Sequence, residues 1–326
     1  MTVTLSTGRL RSRQSRLLLV ATLALLWPLV APNPYWVSLG SSFFINLLLI
    51  ASLDLLVGLT GLTSLAHAAF WGIGAYTSGM LTVHAGVSPW LGTLAAMAAS
   101  AIFSIVIGWP TLRLSGHYLA MATLGFNAIF SVMLTGLVTW TGGPNGLLNI
   151  PAYSVAGFAF TNPISLFLMF GVTTVLILLS LSFLEQSRAG RALRVIHSSD
   201  TAAACMGIPV LHYKLGVFVL ANTIAGLAGA MYAHQNQFVS PDAFSFSSSI
   251  LLLVMVAIGG FGRYWGAFFG ALIFTALPEL TRSLHDAELL IFGIAMIVVV
   301  GFMPGGVAGG LANLASRGAQ TRSPSV

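Results

Sequence analysis

The sequence predicts an all-α, polytopic integral membrane protein of about ten transmembrane helices with both termini in the cytoplasm. The prediction rests on three observations: scarcity of charge, repeated long apolar runs, and the placement of the few basic residues. Of 326 residues, 57% are hydrophobic and only 6% charged. A soluble domain carries about 25% charged residues, so these charges cannot cover a water-facing globule, whereas a lipid bilayer requires none. The net charge of +6 does not point to nucleic acid. Arg9, Arg11, Arg13 and Arg16 precede the first apolar run, and Arg188, Arg191 and Arg194 form one later cluster. Short basic groups beside apolar spans are topology signals. The single Cys205 excludes an intramolecular disulfide and a Cys-based zinc site.

Apolar spans run over 17–31, 41–60, 64–83, 91–111, 117–138, 163–184, 212–233, 248–262, 265–283 and 287–303. A crossing needs about 20 residues, so the short spans 17–31 and 248–262 are either longer than drawn or broken. With a basic N-terminus inside, ten crossings also place Arg113, the 185–214 segment, Arg263, Arg317 and Arg322 inside, while Asp242, Asp286 and Glu288 fall outside. Arg282 is the exception. The first span resembles a signal segment in its basic flank, but no small-x-small cleavage site precedes Pro32-Asn33-Pro34, and a retained helix is expected. The resulting division is a basic N-terminal segment 1–16, a membrane domain 17–303 and a cytoplasmic tail 304–326.

Two loops are long enough to act. The external one, 139–162, contains Thr141-Gly142-Gly143-Pro144-Asn145-Gly146. The internal one, 185–211, holds a compact helix signal: Ser199 or Asp200 as cap, Thr201 to Met206 as body, Gly207 past the end and Pro209 to stop it. Two turns are far too few to persist alone in water, where about 12 residues are needed, so this helix must pack on something. Arg188, Arg191 and Arg194 recur every three residues and share one side of a helix. They either anchor the preceding span or pair with carboxylates of a cytoplasmic partner.

Four stretches together resemble the permeases of branched-chain amino acid ABC importers, in particular the second of their two membrane subunits. They are Gly58 to Tyr76, Leu112 to Leu124, Trp140 to Gly146, and a fourth running from Gly190-Arg191-Ala192-Leu193-Arg194 through Ala202, Ala203 and Gly207 to Ala225–Gly229, Ile258-Gly259-Gly260 and Gly266. The resemblance implies a partner set: a second homologous permease, two cytoplasmic ABC ATPase subunits and a periplasmic binding protein, assembled in a bacterial inner membrane. It implies no cofactor on this chain, with ATP used by the partner subunits. The 185–211 loop then corresponds to an ATPase-coupling element, with Arg191, Arg194, Ala202, Ala203 and Gly207 as its candidate residues. The wider pattern there is Glu-Ala-Ala followed three residues later by Gly; here Thr201 stands in place of Glu. The expected cargo is a branched-chain or related amino acid, a small amide or urea.

A candidate pathway region is Gly-rich and polar within an apolar run: Gly61, Thr63, Ser64 and His67, with Asp54 just upstream. Irregular backbone at membrane depth is tolerated only where protein or a water-filled cavity satisfies it. Close packing of small residues explains the same glycines, and fits Gly226 and Gly229 well. Asp54 stands where the resemblance leads one to expect Asn; it is either a hydrogen-bonded structural carboxyl or a group in the substrate or ion path. His67 alone reads more readily as a packed, hydrogen-bonded residue than as a ligand. No two histidines lie at ligand spacing on one helix, so no metal site is expected. An intrinsic ATPase is excluded because no Gly-Lys-Ser/Thr turn exists and Lys214 is the sole lysine. An intramembrane enzyme lacks a His-Glu-x-x-His or Gly-x-Ser-x-Gly motif. The remaining rival is a secondary, ion-coupled transporter using Asp54, with Glu279 placed near the outer end.

Overall fold

The computed structural model describes residues 27–30, 33–114, 116–155, 158–160, 162–262 and 264–281, together with Gly293. The long helices are α1 (Pro34–Thr60), α2 (His67–His84), α3 (Pro89–Thr111), α4 (His117–Gly136), α5 (Pro163–Gln186), α8 (Val210–Asn236), α9 (Phe246–Gly259) and α10 (Tyr264–Thr281), with α6 (Arg188–Ser198) and α7 (Asp200–Cys205) between α5 and α8. These eight long helices take up eight of the ten expected spans. The spans 17–31 and 287–303 lie outside the described residues, apart from a turn of helix at Trp27–Val30 and the single position 293. The basic N-terminus, Arg263, Arg282 and the tail also lie outside them.

Five helices, α1, α3, α4, α5 and α8, are long and apolar enough to cross a membrane. Their starts follow local rules. Pro34, Pro89 and Pro163 occupy first turns, where a missing N–H costs nothing, and Asn162 Oδ1 caps α5 by accepting from the Ile164 N–H. α9 is short as a fact of structure. Its 14 residues span about 21 Å, and a 3₁₀ turn at Pro241–Phe244 precedes it. The span drawn at 248–262 is thus one short, uninterrupted helix, Phe246–Gly259.

The centre of the bundle is α8, packed against α1, α2 and α3. Glycine makes that packing close. A Cβ on Gly229 would stand 2.7 Å from the Ala75 nitrogen, one on Gly74 2.5 Å from the Gly226 Cα, and one on Gly226 2.7 Å from the Ser100 Cβ. Backbones can approach to that distance only where small residues face one another. By contrast, α3 and α4 show broad apolar faces outward, including Leu94, Ile102, Val106, Met121, Ile129 and Val132.

The loop between α4 and α5 folds back over one end of the bundle. Leu147 and Val239 exchange backbone hydrogen bonds at 2.9 and 3.1 Å. Ser154–Val155 and Phe158–Ala159 form a minimal antiparallel hairpin. Tyr153 anchors it: the ring is buried and its hydroxyl lies 2.8 Å from Thr93 Oγ1. Burial pushes this phenol well above its ordinary range. Beside it, Pro151 O accepts from His234 Nδ1–H at 2.7 Å, which leaves Nε2 to accept from Ser78 Oγ at 2.7 Å. At the opposite end lie α6 and α7.

Candidate functional site

α1 ends at Gly61, whose left-handed φ of 69° lets its N–H and that of Leu62 return to the carbonyls of Val57 and Leu56. The chain then turns back into the bundle. His67, the first residue of α2, places Nε2 2.9 Å from Ser52 Oγ. Ser52 precedes Gly61 by nine residues, about 14 Å along the helix axis. Residues 61–66 are thus a re-entrant segment, and α2 starts about a third of the way back along α1.

Such a segment needs partners for its backbone, and three side chains provide them. Thr123 Oγ1 of α4 accepts from the Leu65 N–H at 3.1 Å. Asn127 Nδ2, also on α4, donates to Leu65 O at 3.4 Å and to Ser249 Oγ at 3.1 Å. Ser249 Oγ of α9 accepts in turn from the Ala68 N–H at 3.1 Å. The sequence candidates divide accordingly. Gly61 and Thr63 are exposed; Ser64 and His67 are buried among these partners. Among the described residues His67 Nδ1, Asn127 Oδ1 and both polar atoms of the Asn222 side chain are buried without a hydrogen bond. Asn222 itself adjoins His67. Thr123, Asn127, Asn222 and Ser249 were not singled out from the sequence, although an amide inside an apolar helix is a signal in itself.

Asp54 is almost fully buried, 9% exposed, and its Oδ1 accepts from the Gly262 N–H at 2.7 Å. The end of α1 therefore meets the glycine-containing turn before α10: Gly58 lies so close to Gly262 that a Cβ on it would stand 2.5 Å from the Gly262 nitrogen. Glu279, at the far end of α10, accepts from the Tyr35 hydroxyl near the start of α1.

The loop between α5 and α8 forms the second element. Ser187 Oγ caps α6 by accepting from Gly190 N–H at 3.2 Å, and Ser199 Oγ caps α7 by accepting from Ala202 N–H at 3.2 Å. Gly207, with φ of 77°, ends α7 by donating to Ala204 O. Ala203 points into the core, while Ala202, Gly207 and Met206, 71% exposed, face outward. Arg191 Nη1 donates to Gln186 O and Arg194 Nη2 to Glu185 O, both at 3.1 Å. Each guanidinium thus sits on the last carbonyls of α5, where a cation is favoured, which supports the anchoring reading of the arginine row. Asp200, at the start of α7, pairs with Lys214 on α8. Among the described residues no three His, Cys, Asp or Glu side chains group as metal ligands.

Residues 37–300 match the family model described as the branched-chain amino acid transport system permease component. The chain belongs to that family. It is 31% identical over 321 residues to the high-affinity branched-chain amino acid transport permease LivM of Escherichia coli, covering 90% of this chain and 75% of that one. LivM of Salmonella typhimurium is 29% identical over 314 residues, 89% of this chain and 74% of the relative. LivH of E. coli, a permease of the same named system, is 24% identical over 84% of this chain and 93% of its own length. A fructose import permease of Bifidobacterium longum, FruG, is 23% identical over 80% of this chain. No solved structure matches. This permease is accordingly a multi-pass membrane transport subunit and not itself an enzyme.

Proposed function

We propose that this permease is one of two related membrane subunits of an ATP-driven importer for branched-chain or closely related amino acids, in a bacterial inner membrane. Separate ATPase subunits dock on α6–α7 at the cytoplasmic face, and a binding protein delivers cargo at the end covered by the 139–162 loop. The observation that supports this reading most directly is α7 itself. It is a two-turn helix, capped at both ends and tied to α8 by Asp200–Lys214, that presents Ala202, Cys205 and Met206 outward from the bundle. Small side chains there admit a partner groove. The relatives' names support the cargo, and their spread to fructose keeps the wider class in view. Ion coupling through Asp54 has less support, because that carboxylate is engaged with backbone.

The test is reconstitution. Tagged permease isolated from native membranes should bring down a second permease and ATPase subunits, and proteoliposomes holding that complex should take up leucine only with binding protein outside and ATP inside. Uptake by the chain alone, driven by an ion gradient, defeats the proposal.

A further inference from the structure

Asp54, Gly58 and Gly61 occupy successive turns at the end of α1, and the structure gives each a contact. Gly61 meets α6: a Cβ there would stand 3.4 Å from His197 Nδ1. Gly58 meets the turn between α9 and α10, and a Cβ on it would also stand 2.8 Å from Asp54 Oδ1. That turn is built from Gly260, φ 105°, and Gly262, φ 69°, conformations that residues with a Cβ rarely adopt. Asp54 Oδ1 holds it by the Gly262 N–H. Because Gly58 lacks a side chain, the turn can reach the carboxylate. From the same turn α9 runs back to Ser249, which holds the Ala68 N–H at the start of α2. One helix end therefore touches the candidate docking element on one side and, through Gly58 and the Asp54 carboxylate, the support of the re-entrant segment on the other.

We propose that Asp54 is a positioning residue: its carboxylate oxygen clamps the α9–α10 turn to α1 through the Gly262 amide, so that a displacement of α6–α7 received at Gly61 reaches α9 and the start of α2. The source of that displacement rests on the importer reading above; the clamp itself does not. What Asp54 supplies is an acceptor, and Asn supplies the same acceptor without the charge.

The experiment compares wild type, Asp54→Asn and Asp54→Ala in two readouts. The first is hydrogen–deuterium exchange of the peptide containing Gly262 in the purified protein. The second is ATP hydrolysed per leucine transported by the reconstituted complex. Asp54→Ala should speed exchange at that peptide about tenfold or more, the scale of a lost charge-assisted hydrogen bond, and should raise ATP hydrolysed per leucine severalfold. Asp54→Asn should keep both within about twofold of wild type. Unchanged exchange in Asp54→Ala removes the clamp. Faster exchange with unchanged coupling removes the relay. Loss of transport in Asp54→Asn with exchange still slow makes the charge, not the acceptor, the requirement, and overturns the assignment. Absence of ATP-dependent uptake in wild type sinks the importer reading alone, because the exchange readout stands without it.

Discussion

Docking on α7 should depend on how well that helix is held. Replacing Ser199 with Ala removes the cap on the Ala202 N–H, a change that costs about 0.5–2 kcal/mol. Replacing Asp200 with Ala as well removes the pair with Lys214, whose side chains are 13% (Lys) and 53% (Asp) exposed. A pair that open to water contributes about 0.2–1 kcal/mol. The double change therefore costs about 1–3 kcal/mol if the two effects add, and they sit on neighbouring residues, so the lower half of that range is the better expectation. Six residues have no reserve of helical stability without packing. If an ATPase binds only the formed helix, its apparent affinity should fall about 5- to 30-fold. The chain carries its own reporter, since its single cysteine, Cys205, is exposed at the end of α7. Maleimide labelling of Cys205 should be fast in the isolated permease and slow once ATPase is bound. The ATPase concentration giving half protection should rise by that factor in Ser199→Ala/Asp200→Ala. Equal half-protection in both proteins, or no protection at all, refutes the reasoning.

Other perturbations probe the rest of the frame. Gly229→Ala pushes a methyl against the Ala75 nitrogen at 2.7 Å; overpacking against backbone should cost about 1–3 kcal/mol, read as a lower SDS midpoint of unfolding. Asn127→Leu removes both hydrogen bonds that support Leu65 and Ser249 and should cost about 1–3 kcal/mol, with leucine uptake falling while bound ATPase still protects Cys205. Tyr153→Phe removes a buried hydroxyl bonded to Thr93 and should cost about 0.5–1.5 kcal/mol at neutral pH. The burial-raised phenol makes the wild-type protein lose stability only above pH about 10, where the unfolded chain ionises first. Urea midpoints measured across that range should show a smaller alkaline decline in Tyr153→Phe.

What the sequence made legible was local. The ends of α7 followed from Ser199, Gly207 and Pro209, because caps and stops act within a few residues. The long helices followed from apolar runs whose length a bilayer dictates. The 248–262 span was drawn short, and α9 is short and uninterrupted. The rest depended on distance along the chain. Asp54 and Gly262 are 208 residues apart, and the partners of Leu65 lie 58 and 62 residues away. No local rule joins them. The Gly-rich run was equally compatible with close packing and with irregular backbone, and the structure contains both: Gly74 packs on Gly226, while Gly61 turns the chain inward. The arginine row was ambiguous for another reason: guanidinium groups suit a helix C-terminus and an acidic partner alike, and only geometry placed Arg191 and Arg194 on α5.

The re-entrant segment also restricts how the subunit can move. α2 is held at its first turn by Ser52 of α1, by Thr123 and Asn127 of α4 through Leu65, and by Ser249 of α9. Along its length it lies backbone to backbone on α8. Sliding or rotating α2 by itself would break several buried hydrogen bonds at once, with no water at that depth to replace them. The helices around it have few independent degrees of freedom. If this permease pairs with a second one as proposed, an opening between the two would break fewer of these buried hydrogen bonds than one that parts α2 from α1, α4 and α9.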